Sequence, residues 1–498
     1  MATPIPDNEA MLTAWEVAAV ANGVVRAVAG EGRVARGVTT DSRAVRPGGA
    51  FFALRGEIHD GHEYVNHAAQ KGAVLVVVER GSGALPPNVD VVEVSDTLAA
   101  WGAVARAHLE RWRRTRATTD LARTLCITGS AGKTTTKELT AALLAEVDAT
   151  ISTPGNLNNR IGLPAVALAV TPAHRFAVLE LGMSLPGEIS ALSAIAEPDV
   201  GLITNVGLAH AEGVGGTRSH VGREKGALLV ALRRDGAAIV NADDGAAMGQ
   251  IVRTAARDVR TFGRASEATY KLIDRVALGL GGSRLTIERP CADCAPASGT
   301  AREVVEVRLP LVGEVAALDL CGALAATEAM IGRALTPEEL TRGVARVEAI
   351  DGRAETIELA DGTVLIDDSY NANPASVRAA LVTLADVAGA HQRMVCVLGE
   401  MKELGASALS EHEALGGDLA AARIGLLISC GGLATKLAER AAECGIPVML
   451  AANSAEAAVI AQREVRAGDV VLVKGSRSVG TEAVVQALLA SRGAKVAP

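Results

Sequence analysis

A glycine-rich segment, residues 128–136 (Thr-Gly-Ser-Ala-Gly-Lys-Thr-Thr-Thr), stands between an apolar run and a stretch of helical periodicity that continues to about Val147. Glycines let the backbone turn so that several N–H groups converge on phosphate oxygens, and the N-terminus of the following helix adds a favourable dipole. Lys133 supplies mobile positive charge, and Thr134 is expected to place its hydroxyl on a Mg2+ ion. The segment therefore predicts a phosphate-binding loop between a strand and a helix.

The spacing of this loop departs from the common pattern G-x-x-x-x-G-K-[ST], because residue 127 is isoleucine and Gly129 lies only three residues before Gly132. The loop is a shortened variant of that pattern. The residues predicted to hold the phosphates are Gly129, Ser130, Ala131, Gly132, Lys133, Thr134 and Thr135. The alternative is a glycine-rich turn with a surface lysine, which the strand and helix patterns on either side disfavour.

Apolar runs of strand length alternate with helix-length segments twice along the chain, first from Leu121 and again beyond Asp351. Such alternation predicts parallel sheets covered by helices, so the expected fold class is α/β. Between the two series, residues 270–311 are expected to form antiparallel strands. Helices are expected to follow at residues 324–333 and 337–347.

At 498 residues the chain exceeds what one hydrophobic core usually organises. We expect three domains: a small mixed α/β domain at residues 1–118, a central P-loop domain with a parallel sheet at 119–345, and a Rossmann-like, doubly wound domain at 346–498. The first boundary is placed at a small polar stretch, residues 117–120, which follows a basic helical segment at 105–116.

The composition limits both the cores and the partners. The chain has only three Trp, three Tyr and four Phe, so alanine, valine and leucine must fill the cores. A formal net charge of -8 argues against a general nucleic-acid surface, which needs a clustered basic face. No apolar run approaches the roughly 20 residues that span a bilayer, and residues 1–10 lack a signal-peptide pattern. We therefore expect a cytoplasmic protein that uses neither nucleic acid nor membrane.

The cysteines show no metal-binding pattern. Cys291 and Cys294 have C-x-x-C spacing, but no second pair or nearby histidine completes a zinc site, so we interpret the pair as an incidental insertion. Four others lie in apolar surroundings and are expected to be reduced and buried: Cys126, Cys321, Cys396 and Cys430.

Two chemically active side chains follow successive strand-like runs. Glu180 ends one run and His210 follows the next. Because ligands gather at the carboxyl ends of parallel strands, and because a carboxylate suits Mg2+, the two residues favour a metal site. The alternatives are a helix-capping carboxylate for Glu180 and a hydrogen-bonded loop imidazole for His210.

Short strings distributed along the chain form a recognisable combination. They are 40–43 (Thr-Asp-Ser-Arg), 60–62 (Asp-Gly-His), 128–138 (Thr-Gly-Ser-Ala-Gly-Lys-Thr-Thr-Thr-Lys-Glu), 154–159 (Pro-Gly-Asn-Leu-Asn-Asn), 161–164 (Ile-Gly-Leu-Pro), 180–188 (Glu-Leu-Gly-Met-Ser-Leu-Pro-Gly-Glu), 367–374 (Asp-Asp-Ser-Tyr-Asn-Ala-Asn-Pro), 398–404 (Leu-Gly-Glu-Met-Lys-Glu-Leu) and 473–477 (Val-Lys-Gly-Ser-Arg). Together they resemble the Mur ligases over nearly the whole chain. The family member that adds D-alanyl-D-alanine is the most similar.

This resemblance implies roles for the central residues. Lys133 and Thr134 handle ATP phosphates and Mg2+, while Glu180 and His210 serve two Mg2+ ions. Lys225 falls where the family carries a carbamylated lysine, formed when CO2 adds to a neutral amine and gives a carboxylate-like metal ligand. The alternative for Lys225 is a solvated helix lysine.

The resemblance also implies binding residues outside the loop. Arg353 and Asp368 reach the nucleotide from the third domain, and Lys474 and Arg477 either line the same cleft or cap a strand. The substrate-binding residues that the resemblance implies are Ser42, Arg43, Asn156, Asn158, Asn159, Asn371, Asn373 and Pro374. For Asn371, Asn373 and Pro374 the alternative is a simple Asn-Pro turn.

The reaction implied by the resemblance is an ATP-dependent ligation. The terminal carboxylate of UDP-N-acetylmuramoyl-tripeptide attacks the γ-phosphate and gives an acyl phosphate, from which the amine of D-alanyl-D-alanine displaces phosphate. Two Mg2+ ions and Lys133 offset the repulsion between the anions. We expect a monomer. The alternatives are the related ligase that adds the third amino acid, folylpolyglutamate synthetase, and a nucleotide-binding homologue without turnover.

The chain departs from the family pattern after Gly313. The family usually has a His-Asn pair and a later Asn that are thought to contact adenine, whereas this chain has Val315, Ala316 and Asp319. Ala227 and Arg160 also replace residues common in the family. The departures put the adenine contacts in question and leave the residues assigned to chemistry in place.

Overall fold

The computed structural model describes residues 3–30, 32–56, 58–83, 85–115, 121–291, 301–389 and 391–495. Three large sheets follow one another along the described chain, and helices pack on each of them. The predicted α/β class with three domains is therefore confirmed. The boundary predicted at residue 118 lies outside the described residues, and both boundaries stay predictions.

The N-terminal domain is built on a five-stranded sheet. Its elements are β1 (Met11–Leu12), α1 (Ala14–Ala21), β2 (Val24–Ala27), β3 (Ala35–Arg36), β4 (Val38–Thr39), β5 (Ala50–Phe52), α2 (Val65–Gln70), β6 (Leu75–Glu79), β7 (Asp90–Val94) and α3 (Thr97–Arg114). The strand order is β2-β7-β6-β5-β4, with β2 antiparallel to β7 and the other pairs parallel. Helix α3 begins before the predicted segment because Asp96 caps it, accepting hydrogen bonds from the N–H groups of Leu98 and Ala99.

The central domain contains a nine-stranded mixed sheet. Its elements are β8 (Arg123–Thr128), α4 (Lys133–Ala145), β9 (Thr150–Ser152), α5 (Gly162–Leu168), β10 (Phe176–Glu180), α6 (Glu188–Ala196), β11 (Val200–Ile203), α7 (Arg218–Lys225), α8 (Ala227–Val230), β12 (Ala237–Asn241), α9 (Gly245–Met248), β13 (Asp258–Gly263), β14 (Tyr270–Ala277), β15 (Ser283–Pro290), β16 (Arg302–Leu309), α10 (Glu314–Ile331) and α11 (Pro337–Ala345). The order is β16-β15-β14-β13-β12-β11-β8-β10-β9. Strands β14 to β16 pair antiparallel, as predicted.

Helix α10 begins ten residues before the predicted segment 324–333. It is buried on almost every side, from Ala316 to Met330, and packs against α4, β13 and β14. A helix enclosed all round has no polar face, so its sequence carries no 3.6-residue period that would mark its start. Its end is marked by Gly332 in the left-handed conformation.

The C-terminal domain contains a six-stranded sheet. Its elements are β17 (Glu355–Glu358), β18 (Val364–Asp367), α12 (Pro374–Val387), β19 (Met394–Gly399), α13 (Ala408–Ala421), β20 (Leu426–Cys430), α14 (Ala434–Glu443), β21 (Val448–Ala451), α15 (Ser454–Glu464), β22 (Val470–Lys474) and α16 (Glu482–Arg492). The order is β17-β18-β22-β19-β20-β21, and every pair except β17 with β18 is parallel. The alternation of strands and helices predicted beyond Asp351 is present, and β17 is an additional antiparallel edge strand.

The remaining sequence predictions concern cysteines and membranes. Cys126, Cys321, Cys396 and Cys430 are buried and free, as predicted. Cys294 lies outside the described residues, so the interpretation of the C-x-x-C pair stays a prediction. Among the described helices, none combines the length and the apolar character of a membrane-spanning segment.

The sheet order of the central domain positions the site. Strand β8 lies between β10 and β11, and all three run parallel. Their carboxyl ends therefore meet at one edge. This places the segment after β8, Glu180 at the end of β10 and the segment after β11 side by side.

Candidate active site

The segment between β8 and α4 forms a tight loop whose two glycines cannot be replaced without displacing neighbours. A Cβ atom on Gly129 would lie 1.8 Å from the Oγ1 atom of Thr204. Gly132 has φ +78°, and a Cβ atom there would lie 2.4 Å from the Oδ1 atom of Asp319. The backbone therefore approaches its neighbours more closely than a side chain allows. The 13-residue helix α4 begins directly after it.

Asn205, beyond the end of β11, fixes the shape of the loop. Its Oδ1 atom accepts hydrogen bonds from the N–H groups of Ser130 at 3.1 Å and Ala131 at 2.9 Å. The Oγ atom of Ser130 in turn accepts a hydrogen bond from the N–H of Gly207 at 2.8 Å. No sequence pattern predicted a role for Asn205. Only its position in the segment that leads from β11 to His210 could have indicated one.

Two lysine amines share one backbone carbonyl at the loop. The Nζ atom of Lys133 lies 2.9 Å from the Gly129 oxygen, and that of Lys225 lies 3.0 Å from it. Lys225 is only 1% exposed. Burial, together with the charge of Lys133, lowers its pKa well below the usual value. Burial also lowers the pKa of Lys133, against the opposing attraction of Glu180. The structure thus brings together two predicted site residues and rejects the solvated-lysine alternative for Lys225.

Glu180 is buried and anchored on both carboxylate oxygens. Thr134 Oγ1 donates to Glu180 Oε2 at 2.9 Å, and Asn158 Nδ2 donates to Oε1 at 2.8 Å. The N–H of Glu180 donates to the hydroxyl of Thr153 at 2.9 Å. The carboxylate is therefore held in one orientation beside the loop. Asn158, which was predicted to bind substrate, lies here as a partner of Glu180.

His210 lies on the same edge, with its backbone in the left-handed region at φ +61°. Its Nδ1 atom hydrogen-bonds the carboxylate of Glu403, which belongs to the C-terminal domain. Burial lowers the pKa of His210, Glu403 opposes this shift, and the nearby Lys133 and Lys225 lower it further. The contact with Glu403 shows that both domains contribute to the site.

The C-terminal domain places further predicted residues at the cleft. The guanidinium of Arg353 lies over the ring of Tyr370, 4.2 Å from its centroid, and Arg477 lies 5.5 Å from the same centroid. Asp368 accepts a hydrogen bond from Lys474 Nζ at 2.6 Å. Burial raises the pKa of Asp368, and the adjacent Lys474 opposes that shift. Lys474 thus holds Asp368 rather than capping a strand.

A cavity of about 540 Å³ lies between the loop and His210 on one side and Arg353 and Asp368 on the other. Three of the positions at which the chain departs from the family pattern line it: Asp319, and Val315 and Ala316, which lie on an apolar wall that includes Leu311 and Val312. Such a wall suits a flat aromatic base. The predicted residues that line the same cavity are Ser130, Ala131, Gly132, Lys133, Thr135, His210, Arg353, Asp368, Asn371, Asn373 and Pro374.

A larger cavity of about 1010 Å³ lies on the other side of Arg353. Its lining includes Thr134, Asn156 and Arg477 from the central and C-terminal domains, and Thr3 from the N-terminal segment. Thr3 Oγ1 donates to Asn156 Oδ1 at 2.9 Å. Segments from three parts of the chain therefore meet at this cavity.

Several predicted substrate-binding residues have local partners instead. Arg43 pairs with Asp41 at 2.7 Å, and the buried Ser42 hydroxyl lies 3.0 Å from His67 Nδ1. Asn159 accepts from the N–H groups at the start of α5. The structure brings none of Ser42, Arg43 and Asn159 to the lining of the two cavities. Asn373 lines the smaller cavity and also caps α12, whose first residue is Pro374.

Asp319 is a buried carboxyl group beside the loop. It is 4% exposed, and its Oδ2 atom finds no hydrogen-bond partner in the described part of the chain. Burial raises the pKa of Asp319 to about 8. At neutral pH the group is therefore mainly a protonated acid that lies against Gly132.

Comparisons with known proteins agree on one family over most of the chain. The family profile described as "Mur ligase middle domain" matches residues 127–327, "Mur ligase, glutamate ligase domain" matches 352–477, and "Mur ligase family, catalytic domain" matches 34–109. The UDP-N-acetylmuramoyl-tripeptide--D-alanyl-D-alanine ligase of Escherichia coli (strain K12) is 34% identical over 457 residues, which cover 91% of this chain and 93% of that protein.

Solved structures give the same result at the level of the fold. The crystal structure of MurF from Acinetobacter baumannii superposes with a TM-score of 0.83 at 28% identity, covering 98% of this chain and all 100% of that one. MurF ligase from Thermotoga maritima, solved in complex with ADP, superposes with a TM-score of 0.75 at 26% identity, covering 90% of this chain and 96% of that one.

We expect Asp319→Asn to stabilise the protein at alkaline pH and to have little effect at pH 4. Because the pKa of Asp319 is about 8 in the fold and near 3.8 unfolded, the unfolded state binds fewer protons between these values, and stability falls as pH rises through that window. Asparagine does not ionise, so its gain at pH 8 should be at least ~1 kcal/mol. Urea unfolding at both pH values measures it, and an equal difference at both would contradict the prediction.

Proposed function

The chain belongs to the Mur ligase family, and we propose that it joins D-alanyl-D-alanine to UDP-N-acetylmuramoyl-tripeptide at the expense of ATP. The tripeptide carboxylate attacks the γ-phosphorus of ATP, which releases ADP and leaves an acyl phosphate. The amine of D-alanyl-D-alanine then attacks the acyl carbon, an amide bond forms, and phosphate and a proton leave. The product is a pentapeptide precursor of peptidoglycan.

The observation that carries this proposal is the pair of lysine amines on the Gly129 carbonyl, next to the Thr134–Glu180 hydrogen bond. The reactants bring together a carboxylate and a triphosphate, so the reaction needs positive charge fixed in a water-poor site. Lys133 supplies that charge at the loop. The loop from Gly129 to Thr135 binds the phosphates, and Asn205 fixes its shape by accepting hydrogen bonds from the N–H groups of Ser130 and Ala131.

We assign the metal positions to Thr134, Glu180, His210 and Lys225, where two Mg2+ ions would be held. The described residues contain no group of three His, Cys, Asp or Glu side chains that could hold a metal by themselves. Thr134 and Glu180 offer oxygen ligands, and Mg2+ binds through one or two protein ligands and takes its other ligands from phosphates and water. When bound, the ions neutralise developing charge on the transferred phosphoryl group.

Lys225 is the proposed site of carbamylation. The chemistry requires a neutral amine, and burial beside Lys133 favours the neutral form. The Lys133 and Lys225 amines both lie at the Gly129 carbonyl oxygen. A carbamate on Lys225 would place an anion there, and Lys133 would be attracted to it. The modified side chain could then face a metal ion as a carboxylate does.

The two cavities are assigned to the substrates. The 540 Å³ cavity takes ATP, with Arg353 and Asp368 on the nucleotide and the wall of Val315 and Ala316 along the adenine. The 1010 Å³ cavity takes the tripeptide end of the UDP-sugar substrate. Asn371, Asn373, Pro374 and Asn156 line these cavities, whereas Ser42, Arg43, Asn158 and Asn159 lie outside their linings and already have hydrogen-bond partners in the protein.

The proposed boundaries are a UDP-sugar-binding domain at residues 1–118, an ATP-binding domain at 119–345 and a ligase domain at 346–498. We also propose that the protein works in the cytoplasm, where its nucleotide substrates are made. It should act as a monomer, since one chain supplies all the residues assigned above.

We expect Lys133→Ala to reduce ligation by about 10²-fold to 10³-fold, because a charge at the transferring phosphate is lost from a low-dielectric site. Mass spectrometry of the product formed from ATP, UDP-N-acetylmuramoyl-tripeptide and D-alanyl-D-alanine measures the effect. Lys436→Ala, which removes an exposed lysine paired with Glu439, is the matched control and should ligate normally.

Retained product formation in Lys133→Ala would reject the proposal. ATP hydrolysis that does not respond to either peptide substrate would instead support a nucleotide-binding homologue that does not catalyse ligation. A product formed from UDP-N-acetylmuramoyl-dipeptide and a free amino acid would support the ligase that adds the third residue.

We expect 13C-labelled bicarbonate to give a carbamate resonance that Lys225→Ala abolishes. Removal of CO2 should lower ligation at least ~10-fold, since a metal-orienting anion is lost, and bicarbonate should restore it. Lys137→Ala is the control, because Lys137 is equally buried but donates to the Thr153 carbonyl at 2.6 Å and pairs with Glu138. A resonance that persists in Lys225→Ala would contradict the assignment.

A further inference from the structure

The segment from Leu398 to Leu404 has no role in the function proposed above, although its sequence is part of the family resemblance. It begins with the last two residues of β19 and enters the site from the C-terminal domain. Glu403 in this segment hydrogen-bonds Nδ1 of His210 through its carboxylate. The pairing spans 193 residues of sequence and joins two domains.

The backbone around Glu403 is fixed by its own domain. The N–H of Met401 donates to His412 Nε2 at 3.0 Å, and the N–H of Lys402 donates to Ser476 Oγ at 2.8 Å. Across the domain interface, the N–H of Glu212 lies 3.4 Å from the carbonyl oxygen of Glu403. These hydrogen bonds fix the backbone of the loop that carries the Glu403 carboxylate.

Both partners adopt an unfavourable backbone conformation. Glu403 has φ +64° and His210 has φ +61°, in the left-handed region that residues with a Cβ atom seldom occupy. Each such conformation costs free energy and persists when its surroundings require it. Two of them face each other at the site, and their side chains are hydrogen-bonded to each other.

The hydrogen bond has a chemical consequence for the imidazole. A carboxylate accepts and cannot donate when ionised, so the Nδ1 atom of His210 carries the hydrogen. In a neutral ring this leaves the Nε2 atom with its lone pair free. A histidine whose second nitrogen donates to a carboxylate is the arrangement that orients histidine ligands toward metal ions.

We propose that Glu403 is a positioning residue for the metal site, fixing the tautomer and ring orientation of His210 so that Nε2 meets the cation. This inference rests on the metal role given to His210 in the proposed function. It adds that the site is complete only when the C-terminal domain is docked. Metal binding and domain docking are then coupled through one side chain.

The test measures Mn2+ binding by electron paramagnetic resonance in the full-length protein with a non-hydrolysable ATP analogue. Glu403→Ala should weaken Mn2+ binding about 10-fold to 100-fold, the usual effect of removing a carboxylate behind a histidine ligand. Glu403→Gln should retain most of the affinity, because its amide oxygen still accepts from Nδ1. Glu413→Gln, an exposed carboxylate on α13, is the control and should bind as the unmodified protein does.

Glu403→Gly separates the side chain from the loop. Glycine favours the left-handed backbone, so this variant keeps the loop conformation while it removes the carboxylate. It should lose Mn2+ affinity as Glu403→Ala does, although its melting temperature should be unchanged or higher. Full Mn2+ affinity in Glu403→Gly would overturn the proposal, because it would show that the carboxylate has no effect on the metal.

A double-mutant cycle with His210→Ala decides whether Glu403 acts through His210. Glu403→Ala should cause no further loss of Mn2+ affinity in the His210→Ala background. Equal losses in both backgrounds would overturn the positioning role while leaving the proposed function intact. If His210→Ala alone leaves Mn2+ affinity unchanged, the metal role in the proposed function is wrong, and the positioning role is overturned with it.

Discussion

The carbonyl oxygen of Gly129 accepts hydrogen bonds from two lysine amines, and the rest of the site is arranged around that contact. Two cations in a buried position repel each other, and desolvation disfavours both charges. The site can relieve this only by giving up a proton or by acquiring an anion. Lys225 is displaced toward the neutral form, and the loop N–H groups around Lys133 add further positive potential. Lys133 and the loop are thus left suited to an anionic ligand.

The topology of the central sheet explains how residues from separate segments of the chain meet at one site. Strands β10, β8 and β11 are neighbours and parallel, so one edge collects Glu180, the loop and the segment that leads to His210. The third domain adds Arg353, Asp368 and Glu403 from across the cleft. The central domain supplies none of Arg353, Asp368 and Glu403. The relative position of the domains is therefore itself part of the active site.

The sequence predicted the residues whose role depends on their own strand or loop, and it missed those whose role depends on a distant partner. The loop and Glu180 follow a local pattern, Lys225 was implied by the family resemblance, and the structure brings them together. Asn205 has no pattern of its own, since its function is to hold two N–H groups of another segment.

Local partners also decide which predicted contacts are free to act. Arg43 and Asn159 looked available in the sequence, but Arg43 is paired with Asp41 and Asn159 caps a helix. Nothing in a linear pattern shows that a polar side chain already has a partner nearby. The late start assigned to α10 has a related cause, because a fully buried helix lacks the polar face that marks its turns.

Asp319, one of the replacements that put the adenine contacts in question, is compatible with a phosphate-binding loop once its burial is considered. An ionised carboxylate at Asp319 would lie against the phosphate loop and repel the anions that Lys133 attracts. Burial raises the pKa of Asp319 to about 8, so the side chain is mostly neutral at pH 7. A protonated carboxyl resembles a carboxamide in size and can donate a hydrogen bond, as an asparagine side chain would. The same desolvation that favours a neutral amine at Lys225 therefore favours a neutral acid here, and both effects leave the loop suited to a triphosphate.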